Sequence, residues 1–426
     1  MASYVSDMLV SRLRHTAIAY NGLGISLGAP YADNGLPVGY DGQCGALPFG
    51  ADGLCYRVAS ARSLHVFHVA PRPGANVMAR ILSTGTAVPP YHLDSAAFKD
   101  ALDRAFGRHF SDLRPILRMA ARCGVQSRFI AVPPDEILAP RTLTDRNRRY
   151  GECAVELGER AARQALERSE VSPAEIDVIV TVSCTGYMLP SLDAHLAGRL
   201  GLRPDVRRLP ITEMGCLAGV AAFARAADLI SGRRGQKALI VAAEFPSLTF
   251  QPADDSMDNL VSTLVFADGV GAAVLSEDDS PGIEIVSSRS LLLPDSLTEM
   301  GFDLRDGGFH VVLSKDVPAL LAGPFGRATD QLLADYGLTA ARLGFACIHP
   351  GGPKILRAVD EALGVEGLTR PSWSVLSKFG NQSSAAVFFI LSELSACGAA
   401  KPGAFGLMAG FGPGLSLELC LLQQRP

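Results

Sequence analysis

Short runs of aliphatic residues alternate with longer stretches of helical periodicity, and this alternation is what most restricts the possible folds. Ile176 to Ser183 is almost unbroken aliphatic, bounded by Pro173 and Gly186, and Ala238 to Ala243, Val270 to Leu275 and Gly344 to His349 are similar. Runs this short and this apolar predict strands buried on both faces. Before and between them lie predicted helices over Leu113 to Cys123, Gly151 to Arg168, Leu192 to Leu200 and Cys216 to Ile230. The second carries Ala154, Leu157, Ala161, Ala162 and Leu166 on one face, whereas the last is apolar on nearly all sides and so must be buried on nearly all sides. Strands and helices in alternation predict an α/β layered fold.

The pattern repeats. Gly344 to His349 is an aliphatic strand ending in a polar residue, as Ile176 to Cys184 is, and a small-residue helix opens at Gly380-Asn381 as another does at Gly215-Cys216. Thirty-two residues separate Cys184 from Cys216, and again His349 from Asn381. Two duplicated halves, 78–284 and 285–426, facing each other would bring Cys216, His349 and Asn381 together. Residues 1–77 have a different texture, with Gly, Pro, Asn and Asp recurring without periodicity, and read as an irregular or disordered extension, Met78 being an alternative start. Within that extension Gly24-Ile25-Ser26-Leu27-Gly28 matches the nucleophile-elbow spacing, but no buried strand precedes it and no helix follows, so it reads as a chance match.

With 426 residues, 48% hydrophobic and 19% charged, the chain can bury a large core without disulfides or metal. A net charge of −4 with scattered basic residues argues against a nucleic-acid or anionic-membrane partner. Nine cysteines without C-x-x-C spacing resemble neither a disulfide framework nor a zinc site, and a reduced, cytoplasmic setting fits. The first residues lack the continuous apolar core of a signal peptide, and the stretch around Ala385 to Ala400 is too short to span a bilayer.

Cys216 occupies the first predicted turn of its helix, where unpaired N–H groups and the helix dipole predict a thiol acidified toward thiolate. Gly215 and Gly219 beside it leave room for backbone to approach a ligand. The bland alternative is a small core residue. His349 stands at a strand end before Pro350-Gly351-Gly352-Pro353, either as a structural residue or as the partner that stabilises a thiolate. Asn381 is either an N-cap or a neutral oxyanion donor. Gly410-Phe411-Gly412-Pro413-Gly414 reads as a strand running into a glycine loop, and the chain contains no phosphate-cradling G-x-x-x-x-G-K-[ST] sequence.

Taken together, Gly215-Cys216, His349-Pro350-Gly351-Gly352-Pro353, Gly380-Asn381-Gln382-Ser383-Ser384 and Gly410-Phe411-Gly412-Pro413-Gly414 resemble the type III polyketide synthases, the chalcone synthase-like branch of the thiolase-fold condensing enzymes. The resemblance runs from about Met78 to the C-terminus and implies a thiolase-like αβαβα fold. It implies Cys216 as acyl carrier, His349 as its ion-pair partner, and His349 with Asn381 as oxyanion hole for the enolate of malonyl-CoA, with neither metal nor organic cofactor. By the same resemblance Phe266 is a gatekeeper, and a second gatekeeper falls near His310 and Val311, with Val311 replacing an aromatic. Cys184, Thr185, Thr249, Gly301 and Ser383 are cavity positions, and Gly410 to Gly414 form a cyclisation loop. Arg118 and Arg122 hold the CoA phosphates, with Pro115 in place of a third cation, and Leu189 reaches into the partner's cavity of a homodimer. The substrates implied are an acyl-CoA starter and malonyl-CoA, and the products a pyrone, resorcinol or naphthol. A ketoacyl-ACP synthase III or HMG-CoA synthase, a Cys-His-Asn thioester hydrolase and a non-catalytic acyl-CoA binder are the competing readings.

Overall fold

The computed structural model describes residues 79–107, 112–139 and 141–426. The expected extension over residues 1–77, with its Gly24 to Gly28 match, lies outside them. The first half contributes β1 (Arg80–Ala87), β2 (Tyr91–Asp94), α1 (Ser95–Phe106), α2 (Arg114–Arg122), β3 (Ser127–Ile130), α3 (Pro134–Leu138) and α4 (Leu143–Ser169). After these come β4 (Ile176–Ser183), α5 (Leu192–Leu200), β5 (Arg207–Thr212), α6 (Ala218–Ile230), β6 (Lys237–Glu244), α7 (Met257–Val265) and β7 (Gly269–Ser276). The second half contributes β8 (Gly282–Leu292), which begins three residues before the expected start at 285, then β9 (Met300–Arg305), β10 (Gly308–Leu313), α8 (Val317–Ala334), β11 (Leu343–Ile348) and α9 (Pro353–Leu363). It closes with α10 (Arg370–Phe379), α11 (Ala386–Cys397), β12 (Phe405–Gly412) and β13 (Ser416–Arg425).

The main sheet runs β11-β12-β13-β8-β1-β7-β6-β4-β5. Its duplication is explicit in the pairing. β4 to β6 is parallel, β6 to β7 and β7 to β1 antiparallel, and in the other half β11 to β12 is parallel, β12 to β13 and β13 to β8 antiparallel. The halves are stitched where Arg80 pairs with Glu284 and Ile81 with Ile283. α6 and α11 lead into the equivalent strands β6 and β12, and their apolar surfaces share one core with residues from both half-sheets. Phe223 of α6 meets Phe388 of α11 at 5.0 Å between ring centroids, and each buried ring contributes about 1.5–3 kcal/mol. α4 and α5 cover the outer face of the first half, and α8 and α9 that of the second. The result is the layered αβαβα arrangement.

α4 begins eight residues before the expected Gly151. Thr142 and Asp145 form a capping box there, and the first two turns are too polar to show an apolar stripe.

Candidate active site

Each candidate residue leaves the end of a core element. Cys216 lies in a one-turn 3-10 segment, Gly215–Leu217, that leads into α6. Glu213 and Gly215 both have φ of 59°, so the chain turns sharply before the thiol. His349 follows β11 directly, with its N–H bonded to the Ala409 carbonyl at 2.8 Å. Asn381 follows α10 and Gly380, whose φ is 74°, and its backbone is bonded to Val265 and Ala267 at 3.0 Å each. Phe266 caps α7 and bridges to Asn381.

These four side chains line one cavity of about 760 Å³ together with Cys184, Thr185, Thr249, Gly301, Ser383 and Val311. Apolar residues of the first half, among them Leu93, Phe98, Leu102, Ile130, Ile137 and Leu138, form another part of its wall. The expected meeting of Cys216, His349 and Asn381 therefore occurs. Phe411, Pro413 and Gly414 also line the cavity. Gly410, Phe411 and Gly412 belong to strand β12, so the expected loop is confined to Pro413 and Gly414. Strand pairing extends that far because Gly410 and Gly412 let β12 pack on the cysteine turn: a Cβ on Gly412 would lie 2.7 Å from the Met214 carbonyl oxygen.

Gly215 and Gly219 play a different part from the expected one. A Cβ on Gly215 would lie 2.4 Å from Pro413 Cδ, and one on Gly219 2.1 Å from the Ser384 carbonyl oxygen. The space is filled by protein backbone and Pro413, and the two glycines lock the cysteine turn against β12 and the Ser383–Ala385 turn.

The electrostatics also depart from expectation. Burial pushes the Cys216 thiol up to about 12 and the His349 imidazole down to about 3. The helix start does not acidify the sulfur, because desolvation outweighs the local N–H groups and the buried Glu244 carboxylate further disfavours a thiolate. Ser383 Oγ donates to Cys216 Sγ at 3.4 Å and lies 3.4 Å from Cys184 Sγ. The Ser383 N–H donates to Asn381 Oδ1 at 2.8 Å, which fixes the amide and leaves its NH2 as the free donor. His349 Nδ1 is buried without a partner among the described residues.

Two residues at this site were not anticipated. Glu244 is fully buried at the end of β6, accepts Thr185 Oγ1 at 2.6 Å, the Cys184 N–H at 3.2 Å and the Ser384 hydroxyl, and burial raises its pKa. Its signal was available, since it ends an aliphatic strand as Cys184 and His349 do. Arg128 is buried, lies 3.6 Å from the Phe98 ring centroid, and donates to the Thr263, Leu264 and Phe266 carbonyls at 2.7, 2.8 and 2.9 Å. Nothing in its sequence context announces this.

Arg118 and Arg122 are exposed on α2 and do not line the cavity. His310 is likewise outside the lining, with Nδ1 3.2 Å from Asp254 Oδ2. Leu189 is 84% exposed, and the adjacent Tyr187 backbone is clamped on both sides by Asn147 at 2.7 Å.

Residues 69–279 match the family model for chalcone and stilbene synthases, N-terminal domain, and residues 284–426 that for the C-terminal domain. The chain belongs to the chalcone and stilbene synthase family. It is a type III polyketide synthase, a CoA-dependent condensing enzyme of the acyltransferase type. It is 35% identical to the 1,3,6,8-tetrahydroxynaphthalene synthase of Streptomyces coelicolor over 347 residues, 81% of this chain and 92% of that one. It is 36% identical to the enzyme of that name from Streptomyces griseus, with the same coverage. The crystal structure of the Streptomyces coelicolor A3(2) synthase matches with a TM-score of 0.78 at 34% identity, over 82% of this chain and 99% of that one. This shared architecture is the thiolase-like fold.

Proposed function

We propose that this polyketide synthase loads an apolar acyl group from CoA onto Cys216, extends it with malonyl-CoA, and releases a pyrone or resorcinol. The cavity carries the reading, since it combines the cysteine, histidine and asparagine with many apolar lining residues, in about 760 Å³. That is the upper part of the usual range for ligand sites, about 300–1,000 Å³. Each methylene seated on the apolar wall is worth about 0.8 kcal/mol, so a fatty acyl starter outcompetes acetyl.

Cys216 and His349 rest as a neutral pair. As the starter thioester arrives, the thiol proton passes to the imidazole, sulfur attacks the carbonyl carbon, and CoA leaves as the thiol once it is reprotonated. Malonyl-CoA then loses carbon dioxide, and His349 and the Asn381 NH2 hold the enolate oxygen. The enolate carbon attacks the Cys216 thioester, a carbon-carbon bond forms, and the cysteine sulfur is released for the next round. Phe266, held at the end of α7, separates the entering thioester from the chain in the cavity. Arg118 and Arg122 supply charge for the CoA phosphates. The exposed Leu189, beside the cavity-lining Tyr187, supports a homodimer in which this loop reaches the partner's site. The seven described cysteines are all free, in keeping with a reducing, cytoplasmic setting.

A malonyl-primed naphthol is the second reading. It is favoured by Cys184, whose sulfur shares the Ser383 hydroxyl with Cys216, and by the similarity to tetrahydroxynaphthalene synthases. Mass spectrometry of products from malonyl-CoA with a panel of acyl-CoA starters separates them. Longer products that keep the fatty chain support the first reading. A single product independent of the added starter replaces it with the second.

A further inference from the structure

Beside the cavity, three guanidinium groups converge on a small pocket between α3, the first turns of α4 and the Pro246–Thr249 turn. Arg141, Arg146 and Arg149 line it with Glu136, Ser247 and Leu248, and its volume of about 10 Å³ suits a single water-sized occupant. Arg146 is 6% exposed and spends one terminal nitrogen on the Leu248 and Phe250 carbonyls, at 3.1 and 2.6 Å. Its Nε–H, and that of Arg149, are buried without an acceptor. The one carboxylate lining the pocket, Glu136, lies 2.8 Å from Arg141 and 3.7 Å from Arg149, and Glu152 takes Arg149 from the outer side at 3.1 Å. Arg146 has no ion-pair partner among the described residues, and its like-charged neighbour Arg141 adds to the cost of its charge.

We propose that this pocket binds one small monoatomic anion, chloride in solution. Buried donors left unsatisfied are costly, and buried charges are normally paired. A water could accept from the unsatisfied Nε–H groups, but only an anion also offsets the charge of Arg146, for which neither Glu136 nor Glu152 is a partner. Arg141 and Arg149 are partly exposed, which leaves a route in and lets both side chains yield to an ion slightly larger than water. Occupancy reaches the catalytic cavity indirectly. Arg146 holds the carbonyls on either side of cavity residue Thr249, and the Ser247 N–H donates to Asp268 at 2.8 Å.

Thermal unfolding of the full chain in sodium chloride and in sodium gluconate at equal ionic strength tests this. Chloride is expected to raise Tm in a saturable way, by about 2–4 °C at 100 mM, and Arg149→Met to remove that increment. Equal Tm in the two salts, or an undiminished chloride response in Arg149→Met, overturns the proposal. Should the variant not fold, crystals of the unaltered protein soaked in sodium bromide decide: an anomalous peak beside Arg146 Nε supports the site, and ordered water there refutes it.

Discussion

At the scale of single residues, the site works by burial. Burial pushes the Cys216 thiol up to about 12 and the His349 imidazole down to about 3, so it favours the neutral form of each at pH 7. Alkylation of Cys216 by iodoacetamide, followed by mass spectrometry, should therefore keep rising from pH 6 to pH 9. A rate already level by pH 7 would indicate a preformed ion pair. The Asn381 amide is held with its NH2 free, so Asn381→Ala is expected to slow decarboxylation of malonyl-CoA by about 10²–10³-fold, the usual loss for one oxyanion donor. Asn381→Asp should be no better, since it replaces a donor with a negative charge facing an enolate. Little change in either variant would remove Asn381 from the oxyanion hole.

At the scale of elements, close approach of backbone decides where the side chains end up. α6 and the Ser383–Ala385 turn meet where Gly219 has no Cβ, and an alanine there would sit 2.1 Å from a carbonyl oxygen. Gly219→Ala is expected to lower Tm by several degrees and to cost condensation activity more than in proportion, because the turn carries Ser383 and adjoins Asn381. Wild-type Tm and activity would show that the turn can move freely. α2 presents Arg118 and Arg122 to solvent, and their proposed role is electrostatic. Arg118→Ala combined with Arg122→Ala should raise KM for malonyl-CoA by about tenfold and leave turnover of the phosphate-free malonyl-N-acetylcysteamine thioester unchanged. An equal effect on both thioesters would point to a packing role.

At the scale of the whole molecule, two half-sheets close over α6 and α11, and the cavity is the seam between duplicated halves. That closure buries His349, whose folded pKa of about 3 lies below its ordinary 6.5. A depressed value means that the unfolded chain binds the proton first. The stability tied to the neutral ring is present above about pH 6.5 and is lost as pH falls toward 3, with a slope of up to about 1.4 kcal/mol per pH unit. Urea unfolding between pH 4 and 7 should show this slope in wild type and a shallower one in His349→Gln. Identical slopes would mean that the ring is solvated.

The aliphatic runs by themselves determined the layered fold, because a strand buried on both faces is written mainly in apolar residues. The equal spacing of Cys184 and Cys216 and of His349 and Asn381 carried the duplication, and with it the meeting of the three catalytic candidates. What tertiary structure alone decided are the properties that depend on neighbours distant in sequence. Glu244 sits under Cys184, Arg128 holds the carbonyls at the end of α7, and Gly215 and Gly219 make room for Pro413 and Ser384. The charge state of Cys216 belongs with these. A helix start favours thiolate, but the depth of the seam sets the desolvation that opposes it, and that depth exists only once both halves have closed.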